Sequence, residues 1–197
     1  MPMGAISRYV PYLRTSPLKE AELREHSLFI PELYFYSTWE EVGNSANLKK
    51  LLFNSWYKED YPVGWFIVGG SSCGKSSLLA LVAKFISKNF LLNQQFITFT
   101  TLFSSFYERE EKDGKVSANP YQNCDVLFLD DYGTQYATSY ANTKFIDLVE
   151  YRYSHLLPTY ITSTQNVDSI ANVSPAFGKR IKDKSWITTL RKTNDTI

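Results

Sequence analysis

The run Trp65-Phe66-Ile67-Val68-Gly69-Gly70-Ser71-Ser72-Cys73-Gly74-Lys75-Ser76-Ser77-Leu78-Leu79 constrains this chain more than any other. Apolar residues suited to a buried strand give way to glycine and serine, then to a Lys-Ser pair, and an apolar helical pattern resumes. Gly69, Gly74, Lys75 and Ser76 meet the pattern G-x-x-x-x-G-K-[ST], with a strand before it and a helix after it. The glycines let the backbone turn tightly and aim successive N–H groups inward, and the positive end of the following helix adds to that field. Gly69, Gly70, Ser71, Ser72, Cys73, Gly74, Lys75, Ser76 and Ser77 are therefore a candidate cradle for the phosphates of ATP. Lys75 is expected to reach the β- and γ-phosphates, and the Ser76 hydroxyl to ligate Mg²⁺. An ordinary Gly/Ser turn between strand and helix is the plainer alternative.

A second run, Cys124-Asp125-Val126-Leu127-Phe128-Leu129-Asp130-Asp131-Tyr132-Gly133, ends a continuous apolar stretch in two adjacent carboxylates. Such a stretch suits a strand buried on both faces, and ligands of open α/β sheets bind at the C-terminal ends of strands. Read as a Walker B strand, it assigns Asp130 to Mg²⁺ and Asp131 to the attacking water, as its orienting group and base. A helix cap or a solvated acid pair is the alternative for these carboxylates taken alone.

The rest of the composition excludes more than it assigns. At 197 residues the chain suits one domain, and no apolar run approaches the length of a membrane span. The opening residues carry no secretory apolar core, and the only cysteines are Cys73 and Cys124, so a reducing, cytoplasmic setting is expected. His26 and His155 have no partner at metal-ligand spacing. A net charge of +1 gives no global nucleic-acid signature, so any DNA contact must come from a local patch.

Residues 1–28, with Pro2, Pro11 and Pro17, read as an arm, and residues 29–197 as the domain. A helix is expected over 44–57, capped by Asn44 or Ser45. Strands at 65–69, 96–100, 125–129, 159–163 and 186–190 alternate with helices at 75–88, 101–110, 142–155 and about 176–183, with a loop over 111–123. That alternation predicts a three-layer α/β/α domain with a mostly parallel five-stranded sheet.

Cys124 to Ser163 carries further motifs: Asp130-Asp131-Tyr132-Gly133-Thr134, then Tyr151-Arg152-Tyr153, then Leu157-Pro158-Thr159-Tyr160-Ile161-Thr162-Ser163. In that order they resemble the AAA+ core of the DnaC/DnaI-type replicative helicase loaders and their cousins, the IstB-type ATPases. Those families show "DD(L/I)G", an "RY" helix and a "PTIITSN" strand. Upstream, Ile30-Pro31-Glu32-Leu33-Tyr34 and Trp39-Glu40-Glu41-Val42 look like the family's lead-in to the nucleotide pocket. The resemblance implies a P-loop NTPase fold of the AAA+ type, ATP and Mg²⁺ as cofactors, and a head-to-tail homo-oligomer that engages single-stranded DNA and a replicative helicase. It puts sensor 1 on Thr164, where the family has Asn, with Asn166 as a nearby alternative. Phe177 to Lys184 resembles "GERIxSR", whose last residue is the trans-acting finger. Here that residue is Lys184, which lacks the planar fork of Arg, and Arg180 is the other candidate. A solvated helix face is the alternative for this basic segment. The arm is much shorter than the helicase-docking domain of long loaders.

Other readings stay open at this point: an IstB-like transposition helper, a viral superfamily 3 helicase, or a compact genome-packaging ATPase. A small-molecule kinase would need an arginine-bearing lid and an acceptor pocket, for which the sequence gives no clear signal.

Overall fold

A computed structural model describes residues 30–42, 44–57, 64–90, 92–113, 119–133 and 138–191. The expected arm, residues 1–28, lies outside them, as does Thr134 of the second motif. The described chain opens with a helical turn α1 (Glu32–Phe35), a 3-10 turn (Trp39–Glu41) and α2 (Ser45–Tyr57). It continues through β1 (Gly64–Gly69), α3 (Lys75–Asn89), β2 (Gln94–Thr98), α4 (Phe99–Asp113), α5 (Pro120–Asn123) and β3 (Val126–Tyr132). The last elements are α6 (Ser139–Ser154), β4 (Thr159–Ser163), α7 (Val167–Val173), α8 (Pro175–Lys184) and β5 (Ser185–Leu190).

The five strands form one sheet in the order β2-β3-β4-β1-β5, and every pairing is parallel. β1 lies between β4 and β5 and is buried along its whole length, which is why its sequence is apolar without alternation. The pleat sends Trp65 and Ile67 into one core and Phe66 and Val68 into the other. Leu48, Leu52 and Trp56 of α2 and Leu78, Leu79 and Val82 of α3 close the first core. Leu102 of α4, Phe145 and Leu148 of α6, and Phe177 and Ile181 of α8 close the second. The α/β/α layering expected from the sequence is thus present. Because the strands run in one direction, the loops after β1, β3 and β4 leave from one edge, with β4 between the other two.

Several boundaries differ from the expectation, each for a local reason. β2 ends at Thr98, since the Thr98 hydroxyl accepts the N–H of Thr101 at 3.2 Å and caps α4, which takes Phe99 and Thr100 into the helix. The expected loop 111–123 contains the end of α4 and the short α5, capped by the Asn119 side chain on Tyr121 N–H. Helix α6 begins at Ser139 because Thr138 caps it. Asn44 precedes α2 with φ at +59°. Helix α7, capped by Asn166, is an element that the apolar spacing does not predict, and β3 runs past both carboxylates instead of stopping before them.

Candidate functional site

The loop after β1 is shaped by steric need at two of its glycines. A Cβ on Gly69 would lie 2.4 Å from Cys73 Sγ and 2.7 Å from the Leu190 carbonyl oxygen, so no larger residue fits. Gly74 holds φ at +87° as the residue that starts α3, and Ser72 shares the left-handed region at +60°. Gly70 has open space around it and is not sterically required. The carbonyl oxygen of Gly74 accepts the Leu78 N–H at 2.9 Å, while Gly70, Ser71 and Ser72 lie exposed at the loop's outer side.

Inside the loop, Lys75 is buried and its ammonium donates to the Gly70 carbonyl at 2.8 Å. Ser76 Oγ donates to Asp130 Oδ1 at 3.0 Å, across a sequence separation of 54 residues. The two motifs therefore meet directly. Asp130 is only 5% exposed and also accepts from the Thr162 hydroxyl. Burial pushes its carboxyl above the usual carboxylate range; Asp131 adds to that push, while the Thr162 and Ser76 hydrogen bonds and the charge of Lys75 oppose it.

Asp131 is exposed and has φ at +70°, and its N–H donates to Thr162 Oγ1 at 2.8 Å. The register explains this conformation. Leu129 faces Ile161 and Tyr132 faces Ser163, so β3 advances three residues where β4 advances two. Beyond the bulge, Ser163 Oγ donates to the Tyr132 carbonyl at 3.0 Å and Gln165 Nε2 to the Gly133 carbonyl at 3.2 Å. The Tyr132 ring packs against Phe99, Phe145 and Phe177, and burial pushes its phenol up to about 12.

The residues assigned after β4 stand apart from this cluster. Thr164 is exposed in the bend that follows the strand. Asn166 caps α7 by accepting the Ser169 N–H at 2.7 Å, which commits its carboxamide oxygen to the helix. Arg180 forms a bidentate pair with Glu150 of α6, at 2.9 and 3.0 Å from Nε, and lies 4.3 Å over the Tyr153 ring. Lys184 ends α8.

Two residues outside the assigned set matter here. Thr162, which the sequence shows only as part of a strand motif, bonds the Asp130 carboxylate and the backbone N–H of Asp131. Arg152, from the same set of motifs, is fully buried and donates to the carbonyls of Tyr121, Cys124 and Pro158 at 2.8–2.9 Å and to Thr159 Oγ1 at 2.9 Å. It ties the entrance of β3 to that of β4, at the opposite end of the strands from the glycine loop, and so has a structural role. Burial raises the Cys124 thiol, with Arg152 opposing.

Neither protein-family models nor curated proteins give a match to this chain. Solved structures do. The DnaC helicase loader superposes over 82% of this chain and all of its own, with 20% identity and a TM-score of 0.66. DnaI covers 83% of this chain and 95% of its own, with 18% identity and the same score. The replication initiator DnaA, bound to AMPPCP and single-stranded DNA, covers 85% of this chain and 53% of its own, with 19% identity and a TM-score of 0.67. This chain shares the α/β/α core fold of these structures. In that core the loop after β1 and the end of β3 flank β4, which is how Ser76 and Asp130 come within a hydrogen bond of each other.

The donor set suits a hard cation. A hydroxyl and one carboxylate in contact match Mg²⁺, which is usually held by one or two carboxylates together with substrate phosphates. Among the described residues, no group of three or more His, Cys, Asp or Glu could hold a metal without a ligand's help. Among them, too, no helix is long and apolar enough to cross a membrane.

Proposed function

We propose that this protein binds and hydrolyses ATP with Mg²⁺ and serves DNA replication as an accessory factor of the helicase-loader type. The observation that carries the nucleotide reading is the Ser76–Asp130 hydrogen bond, which joins a phosphate-type loop to a carboxylate at the end of β3. Lys75 turns from the Gly70 carbonyl to the phosphates, and Ser76 and Asp130 hold the cation. Mg²⁺, when bound, neutralises charge on the phosphate oxygens. Asp131 orients the attacking water and takes its proton, and Thr164 is the sensor position. Lys184 or Arg180 completes the site of a neighbouring subunit in a head-to-tail homo-oligomer.

The loader reading rests on the order of motifs through Ser163 and on the likeness to DnaC and DnaI over most of both chains. Its partners are a replicative helicase, contacted by the arm of residues 1–28, and single-stranded DNA. A near-neutral net charge favours shared rather than solitary DNA grip. The test is ATP-dependent co-purification of the tagged full chain with a replicative helicase from its native cell, alongside a duplex-unwinding assay. Helicase capture without unwinding supports the reading. Unaided unwinding, or capture of a transposase alone, replaces it with a helicase or an IstB-like helper.

A further inference from the structure

We infer that Thr162 is a positioning residue whose one hydroxyl locks the two carboxylate-bearing residues of the nucleotide site to each other. The inference rests on the reading of that site as an ATPase centre. Thr162 is completely buried on β4, the strand between the loop-bearing β1 and the acid-bearing β3. Its single O–H donates to Asp130 Oδ1, and a lone pair accepts the Asp131 N–H at 2.8 Å. One atom thus holds the side chain of one acid and the backbone of the next.

The bulge gives this bond its weight. Between Leu129 and Tyr132 the ladder shifts by one residue, so Asp130 and Asp131 lie within the bulge. The left-handed conformation at Asp131, φ +70°, persists only where its surroundings fix it. Side chains from the β4 side supply the fixing: Thr162 for the Asp131 N–H, Ser163 for the Tyr132 carbonyl and Gln165 for the Gly133 carbonyl. Packing alone does not call for a hydroxyl at 162, since Tyr160 and Ile161 fill the same strand with apolar surface. Any shift of Asp130 toward a cation therefore reaches the backbone of Asp131 through Thr162.

The test compares Thr162→Ser with Thr162→Ala, which lose the same methyl group and differ only in the hydroxyl. In protein free of nucleotide and metal, hydrogen exchange at the Asp131 amide should be at least roughly tenfold faster in the Ala variant than in the Ser variant or wild type. Equal exchange in all three overturns the lock. With saturating ATP, kcat of the Ala variant should fall roughly 10- to 100-fold below that of the Ser variant. Affinity for a fluorescent ATP analogue should be unchanged, and excess Mg²⁺ should not restore the rate. Equal turnover, or full recovery with Mg²⁺, overturns the coupling to Asp131. If the Ala variant does not fold, isosteric Thr162→Val replaces it. If neither folds beside a folded Ser variant, the hydroxyl is a structural requirement and the positioning role is wrong. A wild type without ATP turnover removes the ATPase reading, while the exchange result still decides the lock.

Discussion

The glycine loop with its carboxylates and the segment from Thr164 to Lys184 hold the two halves of the proposed chemistry, and they differ in how their side chains are held. In the first, Lys75, Ser76 and Asp130 are buried or half-buried and bonded to one another or to the loop's own backbone. In the second, Thr164 is exposed, Asn166 is spent on capping α7, and Arg180 is paired with Glu150. A site built within one chain shows its contacts in that chain. If a neighbouring subunit completes the second half, as proposed, its groups would bond to whatever lies nearby until that neighbour arrives.

That contrast is broken or sharpened most strongly at Asp131. Asp131→Asn should reduce ATP turnover by roughly 10²- to 10⁴-fold while leaving binding intact, because an amide cannot take the proton from water. Steady-state kinetics alongside analogue titration checks it, and a near-normal rate would remove the base from the internal half. Lys75→Ala should weaken binding of a fluorescent ATP analogue on the order of a hundredfold. Unchanged affinity would reduce the loop to an ordinary turn.

Arg152→Met tests the far end of the same strands. It strips donors from buried carbonyls of Tyr121, Cys124 and Pro158, so stability should fall by about 3 kcal/mol or more in denaturant melts. Nucleotide affinity of the folded fraction should stay normal, which separates the structural pole of the sheet from the chemical one. Asp130→Asn should move stability the other way. The folded-state pKa of Asp130 is raised, so the native protein holds its proton longer than the unfolded chain, and stability is lost as pH rises through that raised value. At neutral pH the metal-free variant should therefore melt higher than wild type, and the gain should vanish in acid. A lower melting temperature at neutral pH would mean that the hydrogen bonds from Ser76 and Thr162 outweigh burial.

The sequence disclosed β1, the glycine loop, α3 and β4 almost to the residue, because each is specified by neighbours a few positions away: an apolar run, a φ that glycine favours, a helical period. It did not disclose the bulge at Asp130–Asp131, where the Asp131 N–H bonds a hydroxyl 31 residues downstream. Nor did it disclose α7, where Asn166, an alternative sensor in the sequence, accepts the Ser169 N–H and caps the helix. The end of β2 was hidden because Thr98 and Thr100 are β-branched, and only the capping bond of Thr98 shows where the helix starts. In the sequence Arg152 is only part of a motif, and its role depends on carbonyls of Tyr121, Cys124 and Pro158 that only the fold brings together.

The smallest effect discriminates between the two candidates for the trans-acting cation. If Arg180 serves the neighbouring subunit, it must first leave Glu150 and the face of Tyr153, so those contacts hold back assembly. Glu150→Ala would then raise ATPase rate per subunit at limiting protein concentration by roughly two- to fivefold, the range that a partly exposed ion pair can withhold. The gain should shrink at high salt, where the pair is already screened. If Lys184 is the cation, Arg180 is a staple between α8 and α6, and Glu150→Ala leaves the rate per subunit unchanged while slightly lowering the melting temperature. Mixing with Lys75→Ala subunits adds the complementary reading: of Arg180→Ala and Lys184→Ala, the variant that lacks the true finger should be inactive alone and regain activity in the mixture, since each partner then supplies what the other has lost, while the other variant is active unmixed. A rate per subunit independent of concentration, with Arg180→Ala and Lys184→Ala both active unmixed, would make both cations surface groups and the protein a self-sufficient monomer.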